Sequence, residues 1–311
     1  MQVLRAREKL TPERIARLSP EEQRGLITLK QALALGESLG LGRSTSYRHL
    51  IERGRDESVQ VVVAAPPNRL EPLTWWFPIA GRVAYRGYFD PEAARTFAER
   101  LASRGFDTYI RPALLYSTLG WFDDPIPREL LSWDPTDLAL TILHELVHEA
   151  IYVKGDTAYN EGLATFVSYH AALEFFAAGP AQVEQVRDGY ADQQRFAGLL
   201  AELATELEAL YQRHPDADDA RGSREATFER YQQERYRALS WRTQRYHGFT
   251  RAPLSNAYVL ANQSYLGDLP CFQAELSDLQ GDLRAFLREH QSQPGRRAAS
   301  EECVPTAIGG G

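Results

Sequence analysis

Residues 132–152 read SWDPTDLALTILHELVHEAIY, and 157–165 read TAYNEGLAT. The first stretch has the markings of a helix start. Asp134 is placed to cap, Pro135 fits the first helical turn, and Asp137 sits near the positive end of the helix dipole. Leu140, Ile142, Leu143, Leu146, Val147, Ala150 and Ile151 then make the helix apolar nearly all round, which predicts burial. Inside it lies HELVH, with His144 and His148 four residues apart. That spacing puts both imidazoles on one face with about 6 Å of rise between them. Both can reach one ion, while the adjacent Glu145 can contact a water in the ion's open position. Zinc with three protein ligands keeps such a position and lowers the pKa of its water to about 7. Glu145 is then the expected general base, taking the water's proton and passing one to a leaving amine.

Chance is a poor explanation. Seven histidines and 42 acids in 311 residues give roughly 0.02 expected occurrences of this motif, counting every acid as Glu. A buried His-Glu-His cluster also needs partners, which a metal supplies. The third ligand separates subclasses. A metzincin needs Gly three residues after the second His and His or Asp six after it; Ile151 and Lys154 stand there. Asp156 suits a helix cap better than a ligand. Glu161 opens the next helix, and a short turn at 153–157 would fold that helix back as an αα-hairpin, bringing Glu161 beside the motif. Glu161 is therefore the expected third ligand. Asn160 and Thr165 are candidates for supporting contacts, Thr165 by hydrogen-bonding a histidine ring nitrogen. Ala164, one turn past Glu161, would let the helices approach closely.

The rest of the chain frames this pair of helices. Residues 1–40 read as helical, with apolar residues at helical spacing and a glycine-rich stop after Leu39. SVQVVVAAP (58–66), TWWFPI (74–79), RVAYRGYF (82–89) and FDTYIRPALLYST (106–118) read as strands, and residues 90–105 as a helix. GWFDDPIP (120–127) is a turn-rich loop. Helices are predicted over 157–179, 181–214, 224–246, 255–265 and 272–290, with a disordered tail over 291–311. The expected fold class is α+β, a two-lobed zincin. A small, mostly antiparallel sheet lobe (41–152) carries the HExxH helix, and a predominantly helical lobe (153–290) carries the third ligand.

Composition sets outer bounds. Hydrophobic residues are 43% and aromatics 11%, as in ordinary globular proteins. A formal net charge of −7 argues against a nucleic-acid partner bound through its phosphates. No run reaches the ~18 apolar residues of a membrane span. The N-terminus has no apolar signal core, which suggests a cytoplasmic chain as given, or a cell-envelope one had a leader been removed. Cys271 and Cys303 could form one disulfide but are expected to be unpaired. The composition leaves the oligomeric state open.

The runs STLGWFDDP (117–125), TILHELVHE (141–149) and YVKGDTAYNEGLAT (152–165), with WWFPIAGRVAYRGYFD (75–90), resemble the bacterial putative aminopeptidase family of zinc-dependent gluzincins. The similarity runs from about residue 40 to 290. It implies one zinc held by His144, His148 and Glu161, with Glu145 as catalytic base and a peptide or protein as substrate. It also implies that an edge strand near YSTLGW (116–121) binds substrate as an added strand. Asp123 or Asp124 could hold a free α-amino group. Tyr246 or His247 could donate to the oxyanion, and Asn256 and Asn262 could face the cleft. Three alternatives stay open: a zinc endopeptidase, a non-catalytic zincin-like binding module with a structural metal, and a helical interaction protein with an accidental HExxH.

Overall fold

The computed structural model describes residues 8–52, 59–78, 80–113, 124–266 and 268–296. The chain opens with a short strand β1 (Glu8–Lys9), a single helical turn α1 (Pro12–Ile15) and a long helix α2 (Pro20–Ser38). A capping box starts α2: Ser19 accepts from the Glu22 amide while the Glu22 carboxylate accepts from that of Ser19. Then come β2 (His49–Ile51), β3 (Val59–Ala65), β4 (Trp75–Phe77), β5 (Gly81–Val83), β6 (Arg86–Tyr88), helix α3 (Pro91–Ala102), β7 (Asp107–Ala113) and β8 (Ile126–Pro127). The second half is helical: α4 (Pro135–Ala150), α5 (Thr157–Phe175), α6 (Pro180–Arg213), α7 (Ala217–Arg230), α8 (Asn256–Gln263), α9 (Leu269–Asp278) and α10 (Leu283–Ser292). The molecule is mixed α+β with small sheets, and no helix among the described residues is long and apolar enough to cross a membrane.

The strands form three small sheets: β1-β2-β8, β6-β3-β7 and the β4–β5 hairpin. All pairings are antiparallel except β2 with β8. The predicted strand 82–89 divides in two because its halves serve different partners, β5 pairing with β4 and β6 with β3. β3 reads as an unbroken apolar run because both its faces are covered. Val62 and Ala64 pack on α3 with Phe97 and Leu101, while Val61 and Val63 pack on α8 with Ala257 and Ala261.

The largest core draws on α2, α4, α5, α6, α9 and α10. α2 lies directly on the motif helix and its approach, and glycines allow the contact. A Cβ at Gly25 would stand 2.0 Å from the Leu131 carbonyl oxygen, and one at Gly36 2.5 Å from Leu146. The helix predicted over 272–290 is two helices. Gln280 and Gly281 both have positive φ (57° and 81°), which ends α9, and Asp282 caps α10 through the Ala285 amide. The helix predicted over 224–246 starts earlier, at Ala217, and ends in one π-helical turn, Tyr231–Arg235. Cys271, expected to be unpaired, is disulfide-bonded; Cys303, like most of the 291–311 tail, lies outside the described residues.

One buried carboxylate ties the helical half together. Asp192 on α6, fully inaccessible, accepts from the Arg242 and Thr243 amides, from the Thr243 hydroxyl and from Arg195. Burial alone would push its carboxyl up; these donors hold it below the usual carboxylate value. Replacing Asp192 with alanine strips that charge from four donors, and we expect a loss of roughly 3–5 kcal/mol of stability at pH 7. A depressed native pKa contributes stability above the unfolded value near 3.9. That contribution is lost as the pH falls through the native value. Thermal melts at pH 7 and pH 3 should therefore show the wild-type advantage narrowing in acid. An equal gap at both pH values would contradict this assignment.

Candidate metal centre

Helices α4 and α5 build the site. Asp134 caps α4 by accepting from the Thr136 amide at 2.8 Å, and Pro135 takes the first helical position. α5 is capped by Asp156, which accepts from the Tyr159 amide at 3.0 Å. Asn160 closes the turn between the two helices: its side chain accepts from the Val153 amide and donates to the Val153 carbonyl, both at 2.8 Å. Asn160 thus acts on the turn and not on the imidazoles. The same turn is held from outside by the β4–β5 hairpin. Gly155 donates to the Ala80 carbonyl and Lys154 to that of Pro78. Gly155 needs its positive φ of 85° to make this turn.

The αα-hairpin brings three donor atoms together. Glu161 Oε2 lies 3.3 Å from His144 Nε2 and 3.7 Å from His148 Nε2, and the two Nε2 atoms are 3.1 Å apart. His148 and Glu161 are buried and His144 is nearly so. A tetrahedral ion with bonds of about 2.0–2.1 Å places its ligand atoms about 3.3–3.4 Å apart. The three observed separations straddle that value. Two imidazole nitrogens and a carboxylate form a donor set suited to a divalent metal ion, so the residues present fit one.

The electrostatics follow from burial. Burial pushes the Glu145 carboxyl up, and Glu161 and Asp124 add to this, while His148 and His144 pull it down. For Glu161 burial acts in the same upward direction, but the charges and hydrogen bonds of His148 and His144 hold it well below the usual carboxylate range. His148 is moved the other way. Burial lowers it, yet Glu161 and Glu145 leave it raised. The far ring nitrogen of His148, Nδ1, is buried without a hydrogen bond. Thr165 is buried one turn past Glu161 but is not its partner.

Other sequence candidates fall elsewhere. Asp124 is buried, within electrostatic reach of Glu145. Asp123 and the 116–121 segment lie outside the described residues. Tyr246 donates to Gln193 and stacks on Phe196, with ring centroids 4.2 Å apart, and His247 is exposed on a 3-10 turn. Neither makes a hydrogen bond, ion pair or ring contact with His144, His148 or Glu161. Asn256 accepts from Tyr211 and donates to the Pro66 and Arg69 carbonyls, while Asn262 bonds back to Tyr258 within its helix. His170 packs between Phe166 and Tyr190.

Sequence reasoning passed over a ring of tyrosines and one arginine. Tyr265, just past α8, stacks on the His144 ring (centroids 6.1 Å, interplanar 19°) and accepts a hydrogen bond from Arg111 on β7. Tyr85 and Tyr152 both feel the charge of Glu161. Tyr47 is deeply buried, with Glu145, Glu149 and Asp124 acting on its hydroxyl, and it holds a positive φ of 64°. A bulky residue in that conformation is costly, so the surrounding structure must impose it. Arg111 was visible as the one basic residue of its strand, set between Ile110 and Pro112; the tyrosines carried no comparable mark.

A family model described as "Putative aminopeptidase" matches residues 6–302. No curated protein and no solved structure matches the chain.

Proposed function

The chain belongs to the putative aminopeptidase family, and from that membership together with the converged triad we propose that it is a zinc-dependent aminopeptidase. The observation that carries the metal is the mutual spacing of His144, His148 and Glu161 at 3.1–3.7 Å. Zinc bound there would supply Lewis acidity and a water acidic enough to react near neutral pH. His144 and His148 would offer Nε2 lone pairs, and Glu161 would offer the charge that offsets the ion's. Glu145 directly follows His144 and shares the triad's electrostatic field without belonging to the donor set. It is therefore free to accept a proton from the attacking water and return it to the leaving amine. Asp156 and Asn160 orient the site by fixing the hairpin that presents Glu161.

Metal analysis of the purified protein should find one zinc per chain. Hydrolysis of aminoacyl chromogenic amides should stop on chelation and return with zinc. Peptides with a blocked amino terminus should be spared; if they are cleaved equally well, the enzyme is an endopeptidase. A protein that neither retains nor responds to zinc would sink the reading altogether.

A further inference from the structure

Beside the triad, the structure holds a second feature that hydrolysis itself does not require. In the β3–β7 ladder Val61 faces Arg111 and Val63 faces Tyr109. Side chains of one strand alternate between faces, so Arg111 belongs to the face that β3 turns toward α8. There its guanidinium donates to the Tyr265 hydroxyl, with the guanidinium carbon 4.4 Å from that ring's centroid. Its Nε is buried and makes no hydrogen bond. No carboxylate among the described residues forms an ion pair with it; Glu161 acts on it only through its charge. A buried guanidinium N–H left without an acceptor is costly.

Arg111 also lines a cavity of about 40 Å³, whose other walls include Tyr85, Ala84, Ala158, Leu260 and Ala261. That is room for roughly three waters or a short side chain. The cavity lies near the metal centre: Ala158 in its wall stands three residues before Glu161 on α5, and Tyr85 and Arg111 in its wall feel the Glu161 charge. Its walls are almost wholly apolar, with the arginine as the main charge. Apolar walls suit one or two methylenes, and an arginine N–H suits a carboxylate.

We propose that this cavity receives the side chain of the substrate's first residue and that Arg111 binds its carboxylate, making the enzyme selective for amino-terminal aspartate and glutamate. The selectivity rests on the aminopeptidase reading, and Arg111 serves as a specificity residue. A neutral side chain of similar size would offer the Arg111 guanidinium no charged acceptor. Discrimination by an unmatched polar group is larger than discrimination by shape alone.

The test compares kcat/KM for the p-nitroanilides of Asp, Glu, Ala and Leu on the zinc-loaded protein, on Arg111→Met and on Arg111→Lys. Wild type should prefer Asp or Glu over Ala and Leu by roughly 10- to 100-fold. Arg111→Met should lose that preference, its kcat/KM falling further on Asp and Glu than on Ala and Leu, and Arg111→Lys, which keeps the charge, should retain part of it. If Arg111→Met misfolds, shown by a collapsed thermal melt, the wild-type ranking and the lysine variant decide. Preference for Ala or Leu in wild type overturns the proposal and leaves the peptidase reading intact. An equal loss on all four substrates in the variants also overturns it, because Arg111 would then serve the reaction common to all of them. A zinc-loaded protein that cleaves none of the panel fails as an aminopeptidase, and the selectivity falls with it.

Discussion

Replacing Glu145 with glutamine should leave one zinc bound per chain and lower kcat by about 10²- to 10⁴-fold, the usual worth of a general base. The amide keeps the size and much of the hydrogen bonding of the carboxylate but cannot take a proton. Because Glu145 is not among the three converging donors, zinc content should match wild type. KM should change little, since the loss falls on the transition state and not on substrate binding. Thermal stability should hold or rise slightly. Burial already disfavours the charged carboxylate, so neutralising it relieves a cost. Metal analysis, a melt and initial rates on one preparation check all of this together. Full activity in the glutamine variant would remove Glu145 from the mechanism, and lost zinc would mean that it helps to hold the ion.

Replacing Glu161 with alanine should act on the metal first. Only two imidazoles would remain, and the loss in zinc affinity should exceed the roughly 10- to 100-fold typical of changes to outer-shell partners. Activity should fall with occupancy and recover in part under excess zinc, which would separate this defect from that of Glu145→Gln. In the metal-free protein the same change removes the acceptor shared by His144 and His148, and with it the influence that keeps His148 raised. Zinc should raise the melting temperature of wild type more than that of the variant, because a ligand stabilises the fold in proportion to its binding. A variant that binds zinc as tightly as wild type would show that the third protein ligand lies elsewhere.

Tests of Glu145 and Glu161 probe parts of the site that were legible to different degrees. The HELVH run needs only the helical repeat to put two imidazoles on one face, and local chemistry alone, Asp134 as cap and Pro135 behind it, makes that run helical. Glu161 was one step less local. Its nearness to the histidines depends on a six-residue turn folding back, and that turn is held by Asn160 of α5 on Val153 and, from outside the helices, by the hairpin carbonyls of Pro78 and Ala80. The strand run 58–66 was legible because β3 is covered on both faces and shows no alternation. The break at Gln280–Gly281 was not, because the flanking sequence keeps its helical spacing and only the backbone angles reveal the stop.

What the sequence determined by itself is the short-range part: the capped motif helix, the placing of His144 and His148 on one face of it, and the α+β class. These follow from interactions that reach no further than one helical turn or one strand. Tertiary structure decided what stands around the triad. Arg111 is separated from Tyr265 by 154 residues, and they meet only because β3, β7 and α8 pack on one another. Tyr246 and His247 had the right functional groups, yet the packing of Phe196 and Gln193 keeps Tyr246 in the helical core and leaves His247 in solvent. Side-chain chemistry states what a residue can do, and only long-range packing brings it to an atom on which to act.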